Sequence, residues 1–404
     1  MSTIKPQYLL IGILWLATRF GLAQSIFLEV NFDNCTAMDK QSNLVDSVAG
    51  MPRCECGVKG ESFKLDGQRD FVNFTGDYKN IFSSDYTISF YFKVSTNSTG
   101  QALDLLSLRE DCGLDSSLAF TYLPTTKEVS VEIYENVNRN ALLVGKIDPS
   151  TCWQHLTMVR QGVLLRLYIN GKLALERRNS QPIAVNNRGV LSISNSPCLG
   201  FAAQRFNGWI DELHIYRGAL VEKEVLALYN PPDRIISPDT ALIKGSSLQV
   251  RLAKSCATSF RWSPSVGVSD IQVAEPQLSP QVTTTYYLAM NDAACSLRDS
   301  IKVIVVDPAT INCEEIFLPN AFTPNGDGLN EDFGISNPYV FEELLEYSVF
   351  SSWGEKMFTT TDAYGRWDGF YRGQPVNPGV YAYRLEYKCS GEHKIKTGSF
   401  TLLR

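Results

Sequence analysis

Beyond residue 25, apolar and polar residues alternate with a period of two in short runs broken by glycine, proline and asparagine. Ile88, Phe90, Phe92 and Val94 alternate with Thr87, Ser89, Tyr91 and Lys93, which predicts a strand buried on one face only. Leu165, Leu167 and Ile169 run into Asn170-Gly171, a hairpin signal because both turn positions need positive φ. Ile210, Asp211, Leu213 and Ile215 predict a further strand, and strict alternation sets Glu212 on the face opposite Asp211. Val221, Val225, Leu228 and Tyr229 then recur at helical spacing until Pro231-Pro232 stops the helix. Later, Leu248, Val250 and Leu252 alternate, and 283–288 and 301–306 read as strands. Residues 380–388 set Tyr381, Tyr383, Leu385 and Tyr387 against Ala382, Arg384, Glu386 and Lys388, the pattern of an antiparallel strand with one wet face. The fold class expected is all-β, in several small sandwiches.

The 404 residues are enough for two or three domains with cores of their own. A net charge of −6 argues against a nucleic-acid partner, whose affinity rests on neutralising phosphates. The basic pair Arg177-Arg178 reads as a solvated hairpin edge. Ten cysteines point to an oxidising compartment. Lys5 precedes the apolar run 8–17, and Gly21 and Ala23 put small residues at −3 and −1 of a cut. Residues 1–23 therefore read as a secretory signal peptide. No apolar stretch is long enough for a membrane span in the mature protein.

From Ile316 the chain reads IFLPNAFTPNGDGLNEDF, followed by Trp353-Gly354, Arg366-Trp367-Asp368-Gly369, Pro378-Gly379 and a terminal Leu402-Leu403-Arg404. These residues resemble the gliding-motility-associated C-terminal domain, the type B sorting domain of the type IX secretion system. Ser351-Ser352 stand where that family usually has Asn-Arg. The resemblance implies that 313–404 is an antiparallel β-sandwich sorting domain. The partner would be the type IX machinery of a Gram-negative bacterium, and the destination, via the periplasm, the medium or the cell surface.

Two further resemblances precede it. Phe63 to Gly67, Trp153-Gln154-His155, Leu167 to Lys172 and Gly208 to Asp211 are similar to a laminin-G-like, concanavalin-type jelly roll, implied for 26–235. That fold serves lectins, adhesion modules and hydrolases alike, so it narrows function little. Residues 237–307, with Trp262 in a predicted strand, resemble an Ig-like, PKD-type domain. A Cys256–Cys295 bridge packed on that tryptophan fits an inter-sheet disulfide. Cys313–Cys389 is expected on the same reasoning: one cysteine near the start of a small domain, one in a late strand. The other six cysteines (35, 54, 56, 112, 152 and 198) allow fifteen pairings. Cys54 and Cys56, side by side on one strand, should take different partners.

Candidate chemistry is sparse. A retaining glycosidase needs two carboxylates about 5–5.5 Å apart. In glucanases of this fold the pair flanks a central aspartate on one strand, and here Trp209 and Leu213 flank Asp211. His155 reads as a hydrogen-bonded structural histidine. Calcium is the one cofactor weighed, in a structural role. Asp33 and Asp211 fall near the first and last strands, which this fold sets side by side, and Asn325, Asp327 and Asn330 offer oxygens on a glycine-rich turn. The competing reading makes these turn formers. Trp209 and Tyr216 are candidate rim aromatics for stacking on a sugar. The function expected is a secreted or cell-surface, non-enzymatic protein that binds a glycan or an extracellular protein. The alternatives are a glycoside hydrolase or lyase, and a purely structural surface protein.

Overall fold

The computed structural model describes residues 25–78, 80–95, 100–292, 295–307, 312–325 and 329–403. The expected signal peptide and its cleavage point lie outside them. The first unit is a sandwich of two large sheets. In the first sheet the strands run in the order Lys172–Arg178, Leu164–Ile169, Gln154–Gln161, Tyr86–Val94, Asn207–Arg217, Glu61–Asp66 and Arg53–Cys56, with Ile26–Val30 also on Asn207–Arg217. The second sheet orders Arg139–Lys146, Glu128–Asn136, Ser117–Leu123, Ala102–Arg109, Val190–Ile193, Phe71–Gly76 and Leu44–Ala49. One core fills the space between them, with Phe90, Phe92, Phe120, Leu106, Leu167 and Ile210 among its members. Non-consecutive strands are neighbours throughout, as a jelly roll requires.

The local signals act as the sequence implies. Asn170 and Gly171 both take positive φ (52° and 74°) in the hairpin after Leu164–Ile169. The helix is Glu222–Leu228, and it buries Val225 against Val159, Tyr168 and Tyr216. One strand departs from expectation. Tyr86–Val94 is buried on both faces, not one. Its polar side is covered by the helix segment, by Tyr229 and by the turn at Val58. Alternation reports the face toward the core and says nothing about a second cover.

The middle unit has a four-stranded sheet ordered Thr240–Ile243, Ser296–Val306, Thr284–Asn291 and Ser259–Ser263, with a two-stranded sheet of Leu248–Gln249 and Gln277–Leu278. Trp262 sits in its core beside Tyr286 and Leu288. The C-terminal unit is a five-stranded sheet, Ala321–Phe322, Glu392–Leu402, Gly379–Cys389, Glu343–Phe350 and Lys356–Thr360, over Phe322, Phe333, Trp367 and Phe400.

The cysteines correct the expected pairing. Cys256 is bonded to Cys56 and Cys295 to Cys152, so no Cys256–Cys295 bridge forms. Both bonds run from the jelly roll to the middle unit, across 200 and 143 residues of chain. Cys35–Cys54 and Cys112–Cys198 lie within the jelly roll, and Cys313–Cys389 within the C-terminal unit. Cys54 and Cys56 do take different partners.

Candidate ligand cleft on the second sheet

The outer face of the first sheet holds most of the residues singled out from the sequence, and it is closed. Asn207–Arg217 turns Ile210, Leu213 and Ile215 to the core. A bulge between Asp211 and His214 places Glu212 in left-handed backbone, φ 50°. The extra residue breaks the alternation, so Glu212 does not point away from Asp211 as expected. Both carboxylates meet one turn: Asp211 Oδ2 accepts the Val58 N–H at 2.7 Å, and Glu212 pairs with Lys59 Nζ at 2.9 Å. Asp211 Oδ1 accepts the Glu212 N–H at 2.8 Å. Gly57 is required there because a Cβ would collide with the Asp211 carboxylate. Burial, with the Glu212 charge adding, pushes Asp211 up to about 8.

Asp33 approaches the same turn from the short 3-10 turn, Asp33–Cys35, that follows the first strand. Its Oδ1 accepts the Glu61 N–H at 2.8 Å and its Oδ2 the Asn31 amide at 2.5 Å. The Asp33 and Asp211 oxygens, where calcium was expected, are engaged as acceptors of N–H bonds from the turn and its neighbours. Among the described residues no group of three or more His, Cys, Asp or Glu side chains is arranged to hold a metal. Asn325 and Asn330 are exposed, and Asn330, at φ 54°, accepts the Thr323 N–H through its carbonyl, as a turn former does. Asp327 lies outside the described residues.

The expected rim aromatics are not on a rim. Trp209 is buried, with Lys64 Nζ 3.8 Å and Lys93 Nζ 4.2 Å from its ring centroid, and it donates its indole N–H to Glu55 at 2.9 Å. Tyr216 is buried under the helix segment. His155 shares a 2.7 Å hydrogen bond with Ser89 Oγ and packs on Tyr91; burial lowers it to about 3, so it stays neutral.

The second sheet is different. Ala102–Arg109 sends Leu103, Leu106 and Leu108 into the core, and a bulge between Asp104 and Leu106 keeps Asp104, Ser107 and Arg109 on the outer side. Ser192 and Asn73 join them from the next two strands. Ser107 bonds Ser192 at 3.1 Å, and Asn195 donates to Asn73 at 3.0 Å. Arg109 donates to Glu132 at 2.8 Å and to Cys198 Sγ at 3.4 Å, which ties it to the Cys112–Cys198 bond. That bond holds a loop over the face, and the Ser196 N–H donates to Asp104 Oδ2 at 3.0 Å. Burial raises the Asp104 carboxyl to about 7.

Between sheet and loop lies a cleft of about 480 Å³ lined by Asn73, Arg109, Glu110, Arg188, Asn195 and Ser196. The Arg188 backbone N–H donates to Glu110, and its side chain is exposed at the mouth. Phe201, 85% exposed, projects from the same disulfide-tied loop. Amide, hydroxyl and guanidinium groups at a concave surface suit a ligand rich in hydroxyls. None of these residues stood out in the sequence. The available signal was the polar phase of 103–109, three polar residues in an otherwise leucine-rich strand.

Residues 66–226 match the family model of the concanavalin A-like lectin/glucanases superfamily, and residues 316–402 that of the CHU_C type IX secretion signal domain. No curated protein matches the chain. Among solved structures, domain 4 of AbnA, a GH43 extracellular arabinanase from Geobacillus stearothermophilus in complex with arabinotriose, is 19% identical, with 51% of this chain and 99% of that one covered and a TM-score of 0.41. The botulinum neurotoxin serotype D ligand-binding domain in complex with N-acetylneuraminic acid is 13% identical, covering 67% and 72%, with a TM-score of 0.42. At that level of similarity neither says what this chain binds. The matched segments fall on the first sandwich and on the C-terminal sheet, and no helix among the described residues is long and apolar enough to cross a membrane. The chain thus carries a domain of the concanavalin A-like lectin/glucanase superfamily and, at its C-terminal end, a type IX secretion signal domain that marks it for export to the cell surface or beyond.

Proposed function

We propose that this is a non-enzymatic binding protein of a Gram-negative bacterium, delivered through the periplasm by the type IX machinery, whose jelly roll holds a glycan in the cleft on the second sheet. The observation that carries this reading is the asymmetry of the sandwich. One outer face is sealed by chain, while the other presents Asn73, Arg109, Arg188 and Asn195 to an open cleft. Hydrogen bonds from such side chains to sugar hydroxyls would give orientation. The non-enzymatic part rests on Trp209 and Leu213, which occupy the flanking positions of the glucanase pattern and are buried together with Asp211.

A glycan array probed with the mature chain tests the reading. Binding to a defined set of glycans is expected, with loss of at least tenfold in affinity for Asn73→Ala and for Arg188→Ala at unchanged melting temperature. An array blank under all conditions would overturn it. Release of reducing sugar from any bound polysaccharide would return the protein to the hydrolases.

A further inference from the structure

Strand register sets three cations and an indole in one row across the edge of the first sheet. Arg53 is paired with Lys64, Lys64 with Trp209, and Trp209 with Lys93. Lys93 is neutralised by Asp292 at 2.9 Å. Arg53 and Lys64 form no ion pair among the described residues, although they stand directly opposite each other. Like charges so placed destabilise a sheet. Burial lowers the Lys64 pKa, and Arg53 and Lys93 push the same way against Glu55. The Glu55 Oε2 is taken by the Trp209 indole.

Arg69 reaches the same place from the turn after Glu61–Asp66. Together they line a recess of about 360 Å³ with Met51, Asp66 and Asp70. Both aspartates accept backbone N–H groups, Asp70 through both oxygens and Asp66 through Oδ1. Asp66 Oδ1 accepts the N–H groups of Gln68, Arg69 and Asp70 at 2.7, 2.8 and 3.0 Å. Asp70 accepts those of Met51 and Asp66 at 2.9 and 3.0 Å. Arg53 and Arg69 are left exposed, and Lys64, its ammonium over the Trp209 ring, is half-buried between them, in a chain whose net charge is −6.

We propose that this recess is an anion site for the sulfate ester or carboxylate groups of an acidic polysaccharide. Arg53 and Arg69 supply forked donors and Lys64 a point charge. The anion relieves the repulsion between Arg53 and Lys64, and the exposed edge strand leaves room for a polymer to run past. The site is independent of the cleft on the second sheet.

Affinity electrophoresis of the mature chain through dextran sulfate, polygalacturonate and neutral dextran tests it, with calorimetry for affinities. Retention by at least one of the anionic polymers and not by neutral dextran is expected. Arg53→Gln/Arg69→Gln should weaken binding at least tenfold, while Arg177→Gln/Arg178→Gln, at the opposite edge of the same sheet, leaves it unchanged. Should the double variant fail to fold, Lys64→Gln is read the same way. Asn73→Ala leaves this binding intact, which separates the result from that of the second-sheet cleft. Equal loss in both arginine pairs, or no retention by either anionic polymer, would overturn the proposal. Competition by sodium sulfate at the same molar concentration as polymer-borne groups would reduce it to a free-ion site and overturn the polysaccharide assignment.

Discussion

Lys93 of the jelly roll and Asp292 of the middle unit form an ion pair of 2.9 Å with side-chain exposures of 6% and 10%. Lys93 also lies against Trp209 and Trp153, so the charge is held between two rings and one carboxylate. The disulfides Cys56–Cys256 and Cys152–Cys295 span the same junction. The middle unit is therefore bolted to the jelly roll by two disulfides and a buried ion pair.

Breaking this pair from one side leaves a charge buried without its partner, which costs about 3–5 kcal/mol. Asp292→Ala should lower stability by that order in urea unfolding of the mature chain. Replacing both partners, Lys93→Met/Asp292→Leu, should recover most of the loss. Equal destabilisation by the single and double variants would mean that the loss does not come from the unpaired Lys93 charge.

Non-reducing peptide mapping should return linked peptides for Cys56–Cys256 and Cys152–Cys295. By loop-closure entropy a bond closing so long a loop restricts the unfolded chain by roughly 5 kcal/mol, the upper end of the usual range. Cys152→Ser/Cys295→Ser should lower the melting temperature markedly while Cys56–Cys256 persists. A peptide joining Cys256 to Cys295 would contradict the arrangement.

Asp104 sets a pH dependence. Its folded carboxyl titrates near 7, against 3.8 unperturbed. Between these values the folded chain holds a proton that the unfolded chain has released, so stability falls as pH rises through that window, by up to about 1.4 kcal/mol per pH unit. Asp104→Asn keeps an acceptor for the Ser196 N–H and cannot ionise. Its urea-unfolding free energy should show a shallower slope between pH 4 and 7, keeping the part that Asp211, pushed up to about 8, contributes over the same range; an unchanged slope would place the titration elsewhere.

The two tryptophans of the C-terminal motif have opposite roles. Trp367 is buried against Phe322 and Tyr381, whereas Trp353 is 94% exposed in a turn. Trp367→Ala should cost about 3–5 kcal/mol. Trp353→Ala should leave thermal unfolding within a degree or two of the parent.

Export should depend on the C-terminal unit. A chain ending at Asp307 retains the jelly roll, the middle unit and both bonds between them. It should fold, accumulate in the periplasm and be missing from the surface and the medium, as fractionation and immunoblotting would read. Normal surface levels of this truncated chain would show that the signal lies elsewhere.

Much of the fold was legible because its determinants are local. Asn170-Gly171 makes a hairpin through backbone preferences of two residues, Pro231-Pro232 ends a helix whatever surrounds it, and the tyrosines of 380–388 need only a period of two. The C-terminal motif was legible for the same reason, being short turns at close spacing. The site was not. Whether Trp209 is a sugar platform or a buried ring depends on Lys64, Lys93 and Glu55 from three other strands. Whether Glu212 faces away from Asp211 depends on a bulge that alternation cannot reveal. Cys256 chose Cys56 over the nearer Cys295 because loop-closure entropy grows only with the logarithm of length. Proximity in sequence therefore discriminates weakly, and the docking of two domains decides. Sequence alone determined which residues turn inward where a strand runs without a bulge; tertiary structure decided which outer face stays open, because covering a face is done by residues far away along the chain.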